Sequence, residues 1–195
     1  MKFKSLIFSA FIVTLMACGQ TNTPGMTAGS DSESSHWVKD TAKINALIAM
    51  KDNMIAGAGD LVETGRAHAP IVEGTNGFEF YEFPGNRLAL KGSFSSEESE
   101  IRIGAFLVDG KLAYVAFRDF HKTAPSYGKE MYLYFDNGKM FYAEERKVPL
   151  EPGQGPAAIH TVPLLASTRT SEELMADITP YYEQTMKAVE PYFSH

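Results

Sequence analysis

Sulfur chemistry is almost absent from this sequence: Cys18 is the single cysteine in 195 residues. One thiol excludes an internal disulfide and the clustered thiolates of structural zinc sites. Positive charge is also scarce. Lys and Arg total 18 against 24 Asp and Glu, a formal net charge of −6. A chain this acidic lacks the basic footprint that nucleic acid requires, so no nucleic-acid partner is expected. The apolar run Leu6–Met16 stops short of the roughly 20 residues a spanning helix needs, and no later run is long enough. The five histidines (His36, His68, His121, His160 and His195) are never three or four apart, and no H-E-x-x-H occurs. No metal or cofactor is expected on that pattern. Neither G-x-S-x-G nor a P-loop is present, and the glycines of Ala56-Gly57-Ala58-Gly59 read as a helix break.

What is present begins with an address. Lys2 and Lys4 form a basic start, Leu6–Met16 an uncharged apolar stretch, and small Ala17 precedes Cys18. This is the layout of an export signal. The stretch Leu15-Met16-Ala17-Cys18-Gly19 resembles the lipobox of bacterial lipoproteins. That resemblance implies a diacylglyceryl group on Cys18, cleavage before it and acylation of the new amine. One acyl chain anchors only marginally, at about 0.8 kcal/mol per buried methylene, so the two or three chains of a lipobox product make a lasting membrane anchor. Gly19 is not the Asp of inner-membrane retention, and no acidic run follows Cys18. The expected location is therefore the cell envelope, at the outer membrane and facing the periplasm.

The expected organisation follows: signal peptide 1–17, lipidated cysteine and tether 18–35, and one globular domain 36–195. Loss of Lys2 and Lys4 leaves 16 basic residues against 24 acids, so the mature net charge is −8. Residues 19–35 are small and polar and cannot offset their ordering entropy, which predicts a disordered tether. Its typical reach is roughly 20–25 Å.

Within 36–195 the spacing of Trp37, Ile44, Leu47, Ile48, Met54 and Ile55 predicts an amphipathic helix over 36–56, with Ser34 or Ser35 as cap. A short second turn around Leu61-Val62 is expected to follow. From Ile71 the period becomes two. Asp109-Gly110 and Asn137-Gly138 are two-residue hairpin turns, and Pro84-Gly85-Asn86 marks an earlier one. The stretch after Gly110 recurs after Gly138, which reads as two hairpins sharing one turn chemistry. Residues 149–169 are a Pro-rich loop whose Ile159, Val162, Leu164 and Leu165 point to packing across the domain. Thr170-Ser171-Glu172-Glu173 fits a capping box ahead of a C-terminal helix, with Pro180 as a kink or a fresh start. The expected fold class is α+β: an antiparallel meander of about six strands, seven with Ile71-Val72, carrying an N-terminal and a C-terminal helix.

Counting back from the turns assigns faces. Pairing Tyr134 with Phe141 places Tyr132, Tyr134, Phe141 and Ala143 on one face and Leu133, Phe135, Met140 and Tyr142 on the other. The same count groups Tyr114 with Ile103 and sets Val115 and Phe117 opposite. An aromatic outer face results, either covered by the helices and the 149–169 loop or free to bind a ligand. The connection Arg118–Lys129 is the densest polar stretch, with Asp119 able to orient His121. Candidate binding residues are therefore Arg118, Asp119, His121, Tyr127, Tyr132, Tyr134 and Phe141, with Cys18 for lipid attachment and no catalytic residue assigned. Runs such as Glu144-Glu145-Arg146-Lys147 read as solvated. The leading expectation is a non-enzymatic binder, inhibitor or immunity-type domain, whose partner is an envelope protein or small molecule. An envelope hydrolase with a loop-borne site and a structural or assembly lipoprotein are the alternatives.

Overall fold

A computed structural model of the chain describes residues 37–57, 71–151 and 154–193. The expected signal peptide, Cys18, the tether, the Ser34 or Ser35 cap and the turn at Leu61-Val62 lie outside the described residues. Every described element belongs to one compact unit, Glu33–His195.

The fold is α+β. Eight strands form one antiparallel sheet in simple sequence order: β1 (Ile71–Glu73), β2 (Asn76–Phe83), β3 (Arg87–Ser95), β4 (Ser99–Val108), β5 (Lys111–His121), β6 (Tyr127–Asp136), β7 (Lys139–Pro149) and β8 (Leu165–Ala166). Among the described residues two α-helices accompany it, α1 (Thr41–Ala56) and α2 (Ser171–Val189). The expected count of about six strands is low: β1 is the seventh, at Ile71-Val72, and the unexpected eighth, β8, is two residues long, too short to show a period in sequence.

The hairpin turns form for the anticipated reason. Asp109 and Gly110 have φ of 51° and 71°, Asn137 and Gly138 of 51° and 81°, and such turns suit residues that tolerate positive φ. Each hairpin then takes a step that turn chemistry does not announce. Leu107 opposes Leu112 but Phe106 opposes Tyr114, so Ala113 is an extra residue. Phe135 opposes Met140 but Tyr134 opposes Tyr142, so Phe141 is the equivalent extra residue. These are β-bulges at matching positions 28 residues apart, and each flips every later side chain to the other face. The face assignment made by counting back is thereby corrected. Val115, Phe117 and Ala143 join Ile103 and Leu133, while Tyr114 and Tyr142 join Phe106 and Tyr134.

The corrected faces are chemically distinct. The first holds Phe78, Phe80, Leu90, Ile103, Val115, Phe117, Met131 and Leu133, packed against Leu174, Ile178 and Val189 of α2. Thr170 caps α2 reciprocally: its hydroxyl accepts from the Glu173 amide at 3.3 Å, and its own amide donates to Glu173 Oε2 at 2.8 Å. The expected kink or restart at Pro180 does not divide the helix. Residues Ser171–Val189 form one helix, and Thr179 donates its hydroxyl to the Met175 carbonyl at 2.7 Å rather than capping a new start. Gly92 lets α2 approach the sheet, because a Cβ there would lie 2.2 Å from Thr185 Oγ1. The second face carries Phe106, Tyr114, Tyr134 and Tyr142, packed with Ile44 and Met54 of α1. Asp40, not an earlier serine, caps α1 by accepting from the Lys43 amide at 3.0 Å.

Candidate functional site

The expected loop over 118–129 is mostly strand. β5 continues to His121 and β6 begins at Tyr127, leaving 122–126 as the connection, with a cis peptide at Ala124-Pro125. Alternation along β5 then divides the candidate residues between faces. Arg118, Tyr132 and Tyr134 lie on the tyrosine face, with Phe141 at the bulge packed into that face's cluster. Asp119, His121 and Tyr127 lie on the α2 face, beyond the hydrophobic core. The seven residues do not form one site.

On the tyrosine face, Glu130 is the centre. Its side chain has 0% exposure, and it accepts from Arg118 Nε at 2.6 Å, the Tyr132 hydroxyl at 2.7 Å and Arg146 Nε at 2.7 Å. Arg146 also donates to the Val162 carbonyl at 2.8 Å and meets His160 Nδ1. The triad therefore joins β5, β6 and β7 to the segment around the 3-10 turn Pro156–Thr161, whose Ile159 is fully buried. Burial pushes the Glu130 carboxyl upward, but the Tyr132 hydroxyl and the two guanidiniums outweigh it and hold it below the usual range. A carboxylate satisfied this fully is a tie between elements.

Beside the triad the tyrosines pack on one another. Tyr114 stacks on Tyr132 at 6.2 Å and meets Tyr134 at 5.4 Å, and Tyr134 lies 5.7 Å from Tyr142. Tyr134 donates to Glu144 Oε1 at 3.0 Å. Burial, then the neighbouring carboxylate, pushes the Tyr134 hydroxyl up, and burial does the same to Tyr114. The hydroxyls stay protonated and act as donors.

The α2 face ends in a different arrangement. Tyr127 donates to Asp119 Oδ2 at 2.9 Å. His121 stacks on the Tyr127 ring at 5.1 Å, and the Lys147 ammonium sits over that ring at 4.0 Å. His121 Nε2 lies 2.9 Å from the Thr123 hydroxyl. Burial, and then the hydrogen bond to Asp119, pushes the Tyr127 hydroxyl up to about 12. The remaining oxygen of Asp119, Oδ1, is buried and has no hydrogen-bond partner. Such atoms are rare in native proteins, and they concentrate where a ligand, ion or water is handled.

A cleft of about 350 Å³ adjoins this corner, lined by Thr75, Asn76, Ser96, Ser99, Ile101 and Tyr181 among others. Ser99 pairs directly with His121 and Ile101 with Asp119, so two lining residues of the cleft stand beside the Asp119 corner, which does not itself line it. Across β6, Lys129 pairs with Asp177 of α2, which also accepts from Arg169 Nη1 at 2.7 Å. Among the described residues, no group of three His, Cys, Asp or Glu side chains is placed to hold a metal ion. No described helix is long and apolar enough to cross a membrane.

Comparison with family models, curated proteins and solved structures finds no match.

Sequence reasoning missed Glu130 and misread Glu144 and Arg146 as solvated. The available signal was alternation: Gly128, Glu130 and Tyr132 share a face, as do Tyr142, Glu144 and Arg146. It became usable only once the bulge had fixed which face that was.

Proposed function

We propose that this chain is a lipid-anchored bacterial cell-envelope protein whose folded domain binds a ligand in the cleft beside Asp119. The lipobox-like run ending at Cys18 supports the anchor, and Gly19 supports an outer-membrane address facing the periplasm. The observation that carries the binding reading is the buried, unpartnered Asp119 Oδ1 next to a cleft rich in hydroxyl and amide groups. A carboxylate oxygen left without a donor costs free energy that a ligand bearing an N–H or O–H group would recover.

Native mass spectrometry of the protein extracted from envelopes tests the site. A bound mass is expected on the wild-type chain and should disappear in Asp119→Asn and in Ser99→Trp, which fills the cleft. Identical spectra from the three chains would remove the cleft from the account. The anchor is tested separately, because Cys18→Ser should leave the membrane fraction.

A further inference from the structure

The tyrosine face already holds a lysine-bearing segment, and that segment is part of the chain. Lys39 lies just before α1, Lys43 in its first turn and Lys51 about two turns further on. Each ammonium lies over an aromatic ring of the sheet: Lys39 over Tyr142 at 5.4 Å, Lys43 over Phe141 at 5.1 Å, and Lys51 over Tyr114 at 5.1 Å. Two of them also meet a carboxylate of the sheet. Lys43 is 2.6 Å from Asp136 Oδ2 and Lys39 is 3.8 Å from Glu144 Oε2. Ring faces beside carboxylates are what an ammonium group recognises.

The apolar part of this interface is less deeply buried than that of α2: Leu47, Ile48 and Met50 of α1 pack against the aromatic cluster but stay partly exposed. Only Ile44 and Met54 of α1 are buried, whereas α2 buries Leu174, Ile178, Thr185 and Val189. The charged contacts are partly exposed, with side-chain exposures of 41% and 51% for Lys43 and Asp136. Such contacts are individually weak and are screened by salt.

We infer that the tyrosine face is a docking surface for a lysine-bearing helix of a partner protein, and that α1 occupies it as a built-in competitor. Charge complementarity argues for this occupant, since the rings of Tyr114, Phe141 and Tyr142 with Asp136 and Glu144 already accept one such segment. The surface is separate from the Asp119 cleft, so either reading can fail alone.

Trp37, the single tryptophan, reports the exchange. It precedes α1, packs with both core clusters and donates from Nε1 to the Arg169 carbonyl at 3.2 Å. The probe is a synthetic copy of residues 37–57 with phenylalanine in place of its tryptophan, added to the Cys18→Ser chain. Displacement of α1 should shift the Trp37 emission to the red, and a copy with glutamine at the three lysine positions should not. Lys43→Gln and Asp136→Asn break the same ion pair, yet they separate docking from mere loosening. Lys43→Gln leaves the sheet carboxylate for the peptide, so its midpoint should fall about threefold. Asp136→Asn weakens α1 and the peptide alike and should leave the midpoint nearly unchanged. Circular dichroism identifies any variant that has unfolded, and Lys39→Gln then replaces Lys43→Gln. No red shift with excess peptide, an equal shift with the lysine-free copy, or equal midpoints in the two variants would overturn the inference. A chain that is dimeric, and becomes monomeric with Lys43→Gln, would also overturn it by assigning the face to α1 of a second copy.

Discussion

One sheet carries two helices, and it holds them by different physics. Under α2 the contacts are aliphatic and aromatic side chains with almost no exposure, and the backbone approach at Gly92 leaves no room for a methyl group. Under α1, Ile44 and Met54 share the interface with tyrosine rings, lysine ammonium groups and partly exposed carboxylates. Burial of apolar surface has no charge to screen or titrate, whereas charge contacts at a surface respond to salt and pH. The comparison teaches that covering a face does not make the cover permanent. The α2 side forms the core, and the α1 side is closed by an element whose grip depends on conditions.

The tyrosine face is not weak throughout, and the largest expected effect lies there. Glu130→Ala leaves Arg118 and Arg146 buried without their shared carboxylate, which should destabilise the fold by about 3–5 kcal/mol. A urea midpoint close to wild type would show that the triad is dispensable. On the α2 side, Ile178→Ala should cost about 2–5 kcal/mol through the cavity it leaves. A loss below that range would show the α2 interface to be looser than its packing suggests.

Gly92→Ala sharpens the contrast from the backbone. The added carbon would meet Thr185 Oγ1 at 2.2 Å and Phe94 Cε2 at 2.9 Å. Overpacking of this kind costs about 1–3 kcal/mol. Thr185→Ala should relieve part of it in a double-mutant cycle.

Acid tests the charged fastenings. Burial raises the Asp177 carboxyl, but Arg169 and Lys129 outweigh it and hold it below its ordinary value. A lowered folded-state pKa contributes stability that is present above the unfolded value, about 3.9, and is lost as pH falls through the folded one. Glu130 behaves in the same sense. Unfolding titrations should therefore show stability declining below about pH 4, and Asp177→Asn should flatten that decline. The smallest effect belongs to α1. Lys43→Gln removes one exposed ion pair and one ring contact, so the urea midpoint should fall only slightly at low salt and less still at high salt.

Much of the framework was legible in the sequence because it rests on local rules. Asp109-Gly110 and Asn137-Gly138 turn because glycine and its partner tolerate positive φ, and Thr170 with Glu173 caps because their spacing permits it. The division of faces was not legible. It depends on single extra residues, Ala113 and Phe141, whose identities carry no bulge signature and whose effect is to invert everything beyond them. The candidate residues suffered the same fate. Arg118 and Asp119 are neighbours in sequence and point to opposite faces, so a polar run that read as one loop became parts of two sites. Buried ion pairs such as Glu130 with Arg146 join strands and are visible only once register is known.

Hydrogen exchange followed by mass spectrometry across a salt series tests the central claim most directly. The account predicts that amides of α1 exchange about tenfold or more faster than those of α2 in dilute buffer, and faster still as salt rises toward about 0.5 M, while α2 is unmoved. Equal, salt-independent protection of the two helices would contradict it, because both covers would then be opening only with the whole fold.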